Sequence, residues 1–292
     1  MKILVTGSNG FIGRILTGWM INNGHELYCL DIKDVGAFSG LGIKRFIEQD
    51  LAFPFRLPGH YDAVCHLAAY NVTHVGARES PLYQTVNVDG TRNVARALDA
   101  DRFIFLSTTN VYAQSGGSIS EASPVEPCNA YAASKLAGEK CLSEERKAYG
   151  GLTIFRCSNV IGPGQAPKAL VPVLFERAWK CLPIEIFAPA ATPCQLLDVE
   201  DVAWAFQKAL ESSNAEGLFN LAVDKVILLK DLAKEIIRIT GSSSEINLTN
   251  DGQPNAGIIS SAKAKSELGW YSRVSLEESL QRVNRAGAKR NS

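Results

Sequence analysis

The sequence predicts an α/β protein: a doubly wound parallel sheet of dinucleotide-binding type, followed by a smaller C-terminal lobe. Three observations carry this. Short apolar runs alternate with helical patterns through the first half of the chain, as a parallel sheet with crossover helices requires. A glycine-rich turn, Thr6-Gly7-Ser8-Asn9-Gly10-Phe11-Ile12-Gly13, separates the first strand from the first helix. After Arg156 the rhythm loosens into a stretch punctuated by proline.

Taken in order, Lys2–Thr6, Glu26–Asp31, Lys44–Ile47, Ala63–Leu67, Arg102–Ser107 and Leu152–Arg156 read as strands. Phe11–Asn22, Pro81–Ala100 and Asn129–Tyr149 read as the helices between them. Six strands in this rhythm match a doubly wound sheet. Gly162-Pro163-Gly164 opens the looser region, with Pro167, Pro172, Pro183, Pro189 and Pro193 spread through it. Helical patterns recur at Ala169–Lys180, Val199–Glu211, Leu229–Thr240 and Ser261–Leu268, with a short strand at Gly217–Ala222. The expected division is residues 1–157 for the sheet domain and 158–292 for the smaller lobe, with 196–222 returning in part to the sheet.

Composition narrows the function. A chain of 292 residues with 46% hydrophobic content can bury a sizeable core. Thirty basic residues balance thirty acidic ones, so no global field draws nucleic acid or an anionic membrane, and neither is an expected partner. Seven cysteines, at 29, 65, 128, 141, 157, 181 and 194, include no pair at metal-ligand spacing, so no metal is expected. Their odd number argues for reduced thiols and a cytoplasmic location. Five of the seven lie in or beside apolar runs, the setting of a small core residue. The apolar stretch after Met1-Lys2 is interrupted by Gly7, Gly10 and Arg14 without a small-residue cleavage site, unlike a signal peptide. No run approaches the ~20 apolar residues that span a bilayer.

Gly7, Gly10 and Gly13 are spaced one residue wider at the start than the commonest dinucleotide fingerprint, and the physics is the same. Without side chains the backbone approaches a pyrophosphate closely, and the free amides and dipole of the helix N-terminus attract it. Asn9, Phe11 and Ile12 complete the turn. Asp31 ends the second strand, where a carboxylate accepts from the adenosine ribose and repels a 2′-phosphate, favouring NAD over NADP. Arg14 and Lys33 lie close enough in sequence to soften that preference. Asp50 and Leu51, after the third strand, are placed to meet the adenine edge, although an Asp there also suits a helix cap. Leu67, Ala68 and Ala69 follow His66 at the end of the fourth strand, and small residues there let a cofactor pass close by.

Tyr131 and Lys135 are four apart and share a helix face, so the ammonium can act on the phenol. A tyrosine that ordinarily titrates near 10 could then carry a proton at neutral pH. Taken alone, such a pair is usually solvated, Ser or Thr at a strand end is usually a turn former, and His66 on a buried strand reads as structural. The catalytic reading rests on co-occurrence with the hydroxyl-rich strand end Ser107-Thr108-Thr109-Asn110-Val111-Tyr112.

Together these motifs resemble the extended short-chain dehydrogenase/reductase family, and within it the nucleotide-sugar epimerases and dehydratases. The resemblance extends through Val86-Asn87-Val88-Asp89-Gly90-Thr91, Arg156-Cys157-Ser158-Asn159-Val160-Ile161-Gly162-Pro163-Gly164 and Lys263-Ala264-Lys265-Ser266-Glu267-Leu268-Gly269-Trp270. It implies that Tyr131 takes the proton of a sugar hydroxyl while hydride leaves that carbon for the nicotinamide. It implies that Lys135 lowers the tyrosine pKa and holds the nicotinamide ribose, and that Thr108 hydrogen-bonds the reacting oxygen. Ser107 and Asn87 fall at cofactor positions, and Thr109 and Asn159 at substrate positions.

The departures from the pattern are equally specific. Dehydratases of the family usually carry Asp-Glu after the catalytic Thr; here Thr109-Asn110 stand there, and elimination is disfavoured. The epimerase-reductases that make fucose precursors place a Cys where Asn110 stands. Cys194 occupies the place of an Arg that grips the nucleotide diphosphate in many members. Asn250-Asp251-Gly252-Gln253-Pro254-Asn255 holds no basic residue where a second Arg is usual. Lys168, Arg177 or another cation must substitute, or the substrate carries no nucleotide.

The expected function is therefore an NAD-dependent sugar 4-epimerase acting on a nucleotide sugar. A sugar dehydrogenase or ketoreductase on the same scaffold is the alternative, and a non-catalytic dinucleotide-sensing module a third reading. Helices Pro81–Ala100 and Asn129–Tyr149 carry Val86, Val94, Ala97, Leu136, Ala137, Cys141 and Leu142 on more than one face. A homodimer paired through these helices is expected, as the resemblance implies.

Overall fold

The first run of the chain, Lys2–Thr6, extends because Ile3, Leu4 and Val5 are all wholly buried, the signature of a strand covered on both faces. In the computed structural model, which describes residues 1–71, 80–114, 116–145, 149–213, 215–249 and 256–291, this strand lies inside a seven-stranded sheet. The strands are β1 (Lys2–Thr6), β2 (Glu26–Asp31), β3 (Arg45–Glu48), β4 (Ala63–His66), β5 (Asp99–Thr108), β6 (Tyr149–Cys157) and β7 (Gly217–Leu221). They pair in the order β7-β6-β5-β4-β1-β2-β3, and every ladder is parallel. A two-residue strand, His60–Tyr61, pairs beside the start of β5.

Among the described residues the eight α-helices are α1 (Phe11–Asn22), α2 (Gly90–Ala97), α3 (Ala130–Glu144), α4 (Leu170–Trp179), α5 (Val199–Glu211), α6 (Leu229–Thr240), α7 (Ala262–Leu268) and α8 (Leu276–Asn291). One sheet face is covered by α1, α5 and α7, through Leu16, Met20, Val202, Phe206 and Leu268. The other is covered by α2 and α3, through Val94, Ala95 and Leu142. A separate core joins α4, α6 and α8, where Phe175, Leu232, Ile236 and Leu280 meet beneath the small parallel pair Ile184–Ile186 and Ile246–Leu248. β7 lies parallel to β6, Leu221 opposite Cys157, and α5 packs on α1 with the Trp19 and Trp204 rings 6.4 Å apart.

Where the structure departs from the local patterns, tertiary contacts explain the change. The expected helix Pro81–Ala100 is a π-helix at Tyr83–Asp89 followed by α2, and it ends at Leu98, whose backbone is extended. Asp99 and Ala100 are drawn into β5, since His60–Tyr61 on one side and Tyr149 on the other supply ladder partners. The helix expected to reach Tyr149 ends at Glu144, and Tyr149 begins β6. α8 had no counterpart in the sequence reading, because only Leu276, Leu280 and Val283 form its apolar stripe amid charged residues. Its start signal is nevertheless present: the Ser275 hydroxyl accepts from the Glu278 amide, with Glu277 and Glu278 in the first turn.

All seven cysteines are free; Cys29, Cys65, Cys141, Cys157 and Cys194 are buried, while Cys128 and Cys181 are exposed. Among the described residues no helix is long and apolar enough to cross a membrane.

One buried carboxylate ties the end of the chain to the sheet domain. Asp201, wholly buried in α5, accepts from the backbone amides of Arg273 (2.9 Å) and Val274 (3.2 Å), and its own carbonyl accepts from the Trp270 indole at 2.9 Å. Asp201→Ala leaves two backbone donors without their acceptor, so we expect a loss of about 2–4 kcal/mol of stability. Asp201→Asn, which keeps one acceptor, should lose less; urea unfolding of both variants measures the difference.

Candidate active site

Because every ladder is parallel, the carboxyl ends of β1, β4, β5 and β6 share one edge of the sheet. The strand order reverses between β1 and β4, which opens a crevice at that edge. Gly7 turns through it with φ +69°, and a Cβ there would stand 2.6 Å from the Ala68 amide nitrogen. A Cβ on Gly13 would stand 2.1 Å from the Gly7 carbonyl oxygen, so only glycine lets α1 begin this close to the strand ends. Gly10 caps α1 without any side-chain hydrogen bond, which leaves the first amides of the helix pointing at the crevice.

Asp31 borders the same opening. Its Oδ2 accepts from the Asn9 amide at 2.8 Å and its Oδ1 from the Ile32 amide at 2.8 Å, fixing the glycine turn to the end of β2. The Asn9 side chain donates to the Lys33 carbonyl, while its own Oδ1 is buried with no partner among the described residues. Arg14 is drawn to the Asn9 carbonyl at 2.8 Å. A glycine cradle that a Cβ would fill, a carboxylate at its far end and an orphaned acceptor between them fit a dinucleotide. Leu67 and Ala68, whose amides lie 3.2 Å and 3.4 Å from Thr6 atoms, and Ala69 form the opposite wall, all half-buried.

Three other positions expected at the cofactor have their side chains engaged within the protein. Asn87 is wholly buried: its Oδ1 accepts from the Tyr70 amide, and its Nδ2 donates to the Tyr70 carbonyl and the Ser134 hydroxyl. Ser107 donates its proton to Glu139. Leu51 packs in the core, its Cβ only 3.0 Å from where a Cβ on Gly90 would be. Asp50 remains half-buried at the rim, where its Oδ1 caps the Ala52 amide at 2.9 Å.

The reactive groups stand at the ends of β5 and the start of α3. Thr108 is buried, accepts the Asn110 amide at 3.2 Å, and keeps its own proton without an acceptor among the described residues. Asn129 caps α3 through its side chain, so Tyr131 falls in the first turn and Lys135 one turn later. Burial pushes the Tyr131 phenol well above its ordinary range, with the Cys157 thiol and Tyr83 phenol adding to it. The shift runs opposite to the depression by Lys135 expected from the sequence: desolvation dominates, and the ammonium sits over the Phe105 ring, 3.8 Å from its centre. Lys135 itself is lowered from 10.5 to about 7, by burial first, with Glu139 and Cys157 opposing the fall. His66 is a satisfied structural histidine: Thr6 lies 2.6 Å from Nδ1 and Thr91 2.9 Å from Nε2, and burial lowers it to about 3.

The sequence reading missed a polar chain beneath these groups. Glu139, in α3, forms a buried bidentate pair with Arg156 of β6 at 2.6 and 3.0 Å. The Arg156 guanidinium stacks 4.7 Å from the centre of the Tyr112 ring, and the Tyr112 hydroxyl donates to Asn220 at 2.7 Å. The available signal was spacing: Glu139 follows Lys135 by four residues, on the same helix face.

Where the substrate is expected, a cavity of about 120 Å³ opens between the Thr109-Asn110 turn, Ser158, Asn159 and Gln195. The exposed Asn159 and half-buried Thr109 line it, and the Ser158 hydroxyl is buried there with no partner among the described residues. Gln195 is clamped by the Val223 carbonyl and both backbone groups of Ile259. Cys194 is buried beside it, Arg177 donates to the Pro183 carbonyl, and Lys168 is exposed. The 250–255 stretch and His74 lie outside the described residues.

Residues 3–222 match the family model described as the NAD-dependent epimerase/dehydratase family. The chain belongs to that family. It is an NAD-dependent enzyme, as the cradle and its neighbours suggested. It is 28% identical to the dTDP-D-glucose 4,6-dehydratase of Homo sapiens, over 97% of this chain and 88% of that one. Among solved structures it is similar to a UDP-glucose 4-epimerase from Thermotoga maritima with UDP-glucose, with TM-score 0.86 and 26% identity over all of both chains. It is also similar to a UDP-glucuronic acid 4-epimerase from Bacillus cereus, solved with UDP-glucuronic acid and NAD, with TM-score 0.86 and 25% identity over 99% of each chain.

Two outcomes test this geometry. Gly13→Ala forces the α1 N-terminus away from the Gly7 carbonyl, so NAD affinity measured by calorimetry should fall at least about tenfold, about 1.4 kcal/mol. The second concerns Lys135, which loses its proton near pH 7 in the folded state and near 10.5 when unfolded. Between these values the unfolded chain binds more protons, so Lys135 makes stability rise with pH across that window. Lys135→Met should flatten the rise and be the more stable protein below pH 7, as denaturant midpoints across the range would report.

Proposed function

We propose that this enzyme epimerises a nucleotide-linked sugar at its C4 carbinol, with Tyr131 as acid/base. What supports the proposal is that Thr108 closes β5 at the sheet edge that bears the glycine cradle, that Tyr131 and Lys135 lie one turn apart on α3 with the Lys135 ammonium over Phe105 of β5, and that Thr109 and Asn110 are the next residues after Thr108. Elimination of water needs an acid and a base besides Tyr131, and neither Thr109 nor Asn110 ionises usefully.

Bound NAD supplies a reversible two-electron acceptor, so one carbinol can be oxidised and then reduced with no net redox change. Gly7, Asn9, Gly10, Phe11, Ile12 and Gly13 would hold its pyrophosphate, Asp31 its adenosine ribose, and Lys135 its nicotinamide ribose. Tyr131 takes the proton from the C4 hydroxyl oxygen and later returns it. The free proton of Thr108 donates to that same oxygen and orients it. Lys135, as a cation, favours the phenolate form of Tyr131 and works against its burial. Ser158 and Asn159 offer polar groups to the sugar on the other side.

The second reading, a dehydrogenase acting on a sugar without a nucleotide, has one observation in its favour. The cavity is lined by amides, hydroxyls and apolar atoms, with no cation among the described residues, and a diphosphate calls for charge-assisted bonds. We assign residues 1–157 to cofactor binding and 158–292 chiefly to the substrate, in a cytoplasmic homodimer. For the dimer, Val94, Ala97, Cys141 and Leu142 are already buried within one chain, so the face left to a partner is that of Leu82, Val86, Leu136 and Ala137. Elution at twice the 31.6 kDa chain mass would support it, and elution at the chain mass would refute it.

The deciding experiment offers UDP-glucose, UDP-glucuronic acid, dTDP-glucose and free sugars, with product stereochemistry followed by NMR and NADH by absorbance. Epimer interconversion without net NADH is expected, and stoichiometric NADH would favour the dehydrogenase. Tyr131→Phe should lower kcat by about 10²–10⁴-fold while leaving NAD binding intact.

A further inference from the structure

Resting on that reading of Tyr131 and Lys135, we infer that Glu139 is a positioning residue of this active site: clasped between Arg156 and Ser107, it keeps a fixed negative charge one helical turn from Lys135 and so favours the charged form of that lysine. Glu139 lies one helical turn beyond Lys135 and is 5% exposed. Both of its oxygens are anchored, Oε1 by the Ser107 hydroxyl and Arg156 Nε, Oε2 by Arg156 Nη2 at 2.6 Å. Arg156 is pinned in turn by the Tyr112 ring, and Tyr112 by Asn220. The carboxylate cannot turn to solvent, so its field on Lys135 is constant.

Every other group facing Lys135 leaves its charge uncompensated. From β4, His66 is neutral at physiological pH. From β6, the Cys157 thiol is held protonated by burial, and Arg156 is itself a cation. From α3, burial raises the Tyr131 phenol and favours its neutral form; Tyr83 in the π-helix is raised as well. From β5, Phe105 offers only its ring. Among the described residues Glu139 is the one anion acting on a lysine 1% exposed, and its influence opposes the burial that favours the neutral amine. A pair kept only for packing would be dispensable, since buried ion pairs are often replaced by apolar residues without loss. A carboxylate four residues from the lysine does what an apolar residue cannot.

Glu139→Gln preserves shape and removes the charge. In protein with isotope-labelled lysine side chains, with the Lys135 signal assigned through Lys135→Met, its titration midpoint is read by NMR without turnover. We expect the midpoint to fall by about one pH unit or more in Glu139→Gln. It should stay near the wild-type value in Glu139→Asp, which keeps the charge. The basic limb of kcat should move down by the same amount with KM unchanged. Should Glu139→Gln alone fail to fold around the unpaired Arg156, the double variant Glu139→Gln with Arg156→Met leaves no orphan cation and carries the same measurement. An unchanged Lys135 midpoint in a folded variant, with only stability lost, would overturn the inference. Absence of epimerase activity in the wild type would overturn the proposed function and leave the titration result standing.

Discussion

A glutamate and an arginine taken out of water together, Glu139 and Arg156, join the helix that carries Tyr131 and Lys135 to the strand that leads into the substrate side. Each charge without the other would face a desolvation cost of several kcal/mol, so α3 and β6 meet in one arrangement. Ser107 adds β5 to the same clasp, one residue before Thr108. The relative placement of Thr108, Tyr131 and Lys135, on two different elements, thereby becomes a property of a single buried cluster.

The cofactor crevice depends on a complementary constraint, the closeness of two backbones. Gly7 lies against the Ala68 amide, and Gly13 against the Gly7 carbonyl, so the turn after β1 is wedged between β4 and its own helix. Asp31 and Asn9 then lock the turn from the β2 side. The crevice is thus preformed by the polypeptide, and ligand binding need not order it. Around the cavity at Thr109 and Asn110 the polar groups are sparser: Asn159 is exposed, the Ser158 hydroxyl is buried without a partner among the described residues, and Gln195 is occupied by Val223 and Ile259. The contrast between a closely packed glycine turn and a lightly furnished cavity beside it matches a fold that keeps its redox chemistry and varies its substrates.

Much of this was legible along the chain because it is local. The bounds of β1, α1, β2, α5 and α6 follow from periodicity and end signals that act over a few residues. The three glycines announce the crevice since backbone proximity admits no other residue there. What misled the local reading has a consistent cause. Asp99 and Ala100 carry helix-compatible neighbours yet join β5, because His60 and Tyr61 wait beside them. The partners of Ser107 and Asn87 were likewise out of local reach: their hydrogen bonds go to Glu139 and to Tyr70 and Ser134, which lie outside their own elements. α8 is invisible to hydropathy, as its three apolar contacts count only once α4 and α6 stand opposite them.

The sequence was enough to establish a doubly wound fold, a dinucleotide turn, an Asp-terminated second strand and a Tyr-Lys pair on one helix face. Each of these is a matter of spacing within a segment, which covalent geometry enforces. Only the tertiary structure decided which way the proton affinities of that pair move, because desolvation depends on everything packed around it: burial raises Tyr131 and lowers Lys135. It also decided that Glu139, seventeen residues from Arg156 in the chain, faces it across α3 and β6. No period in a sequence encodes which distant charge will share a buried site, since that follows from how the layers close.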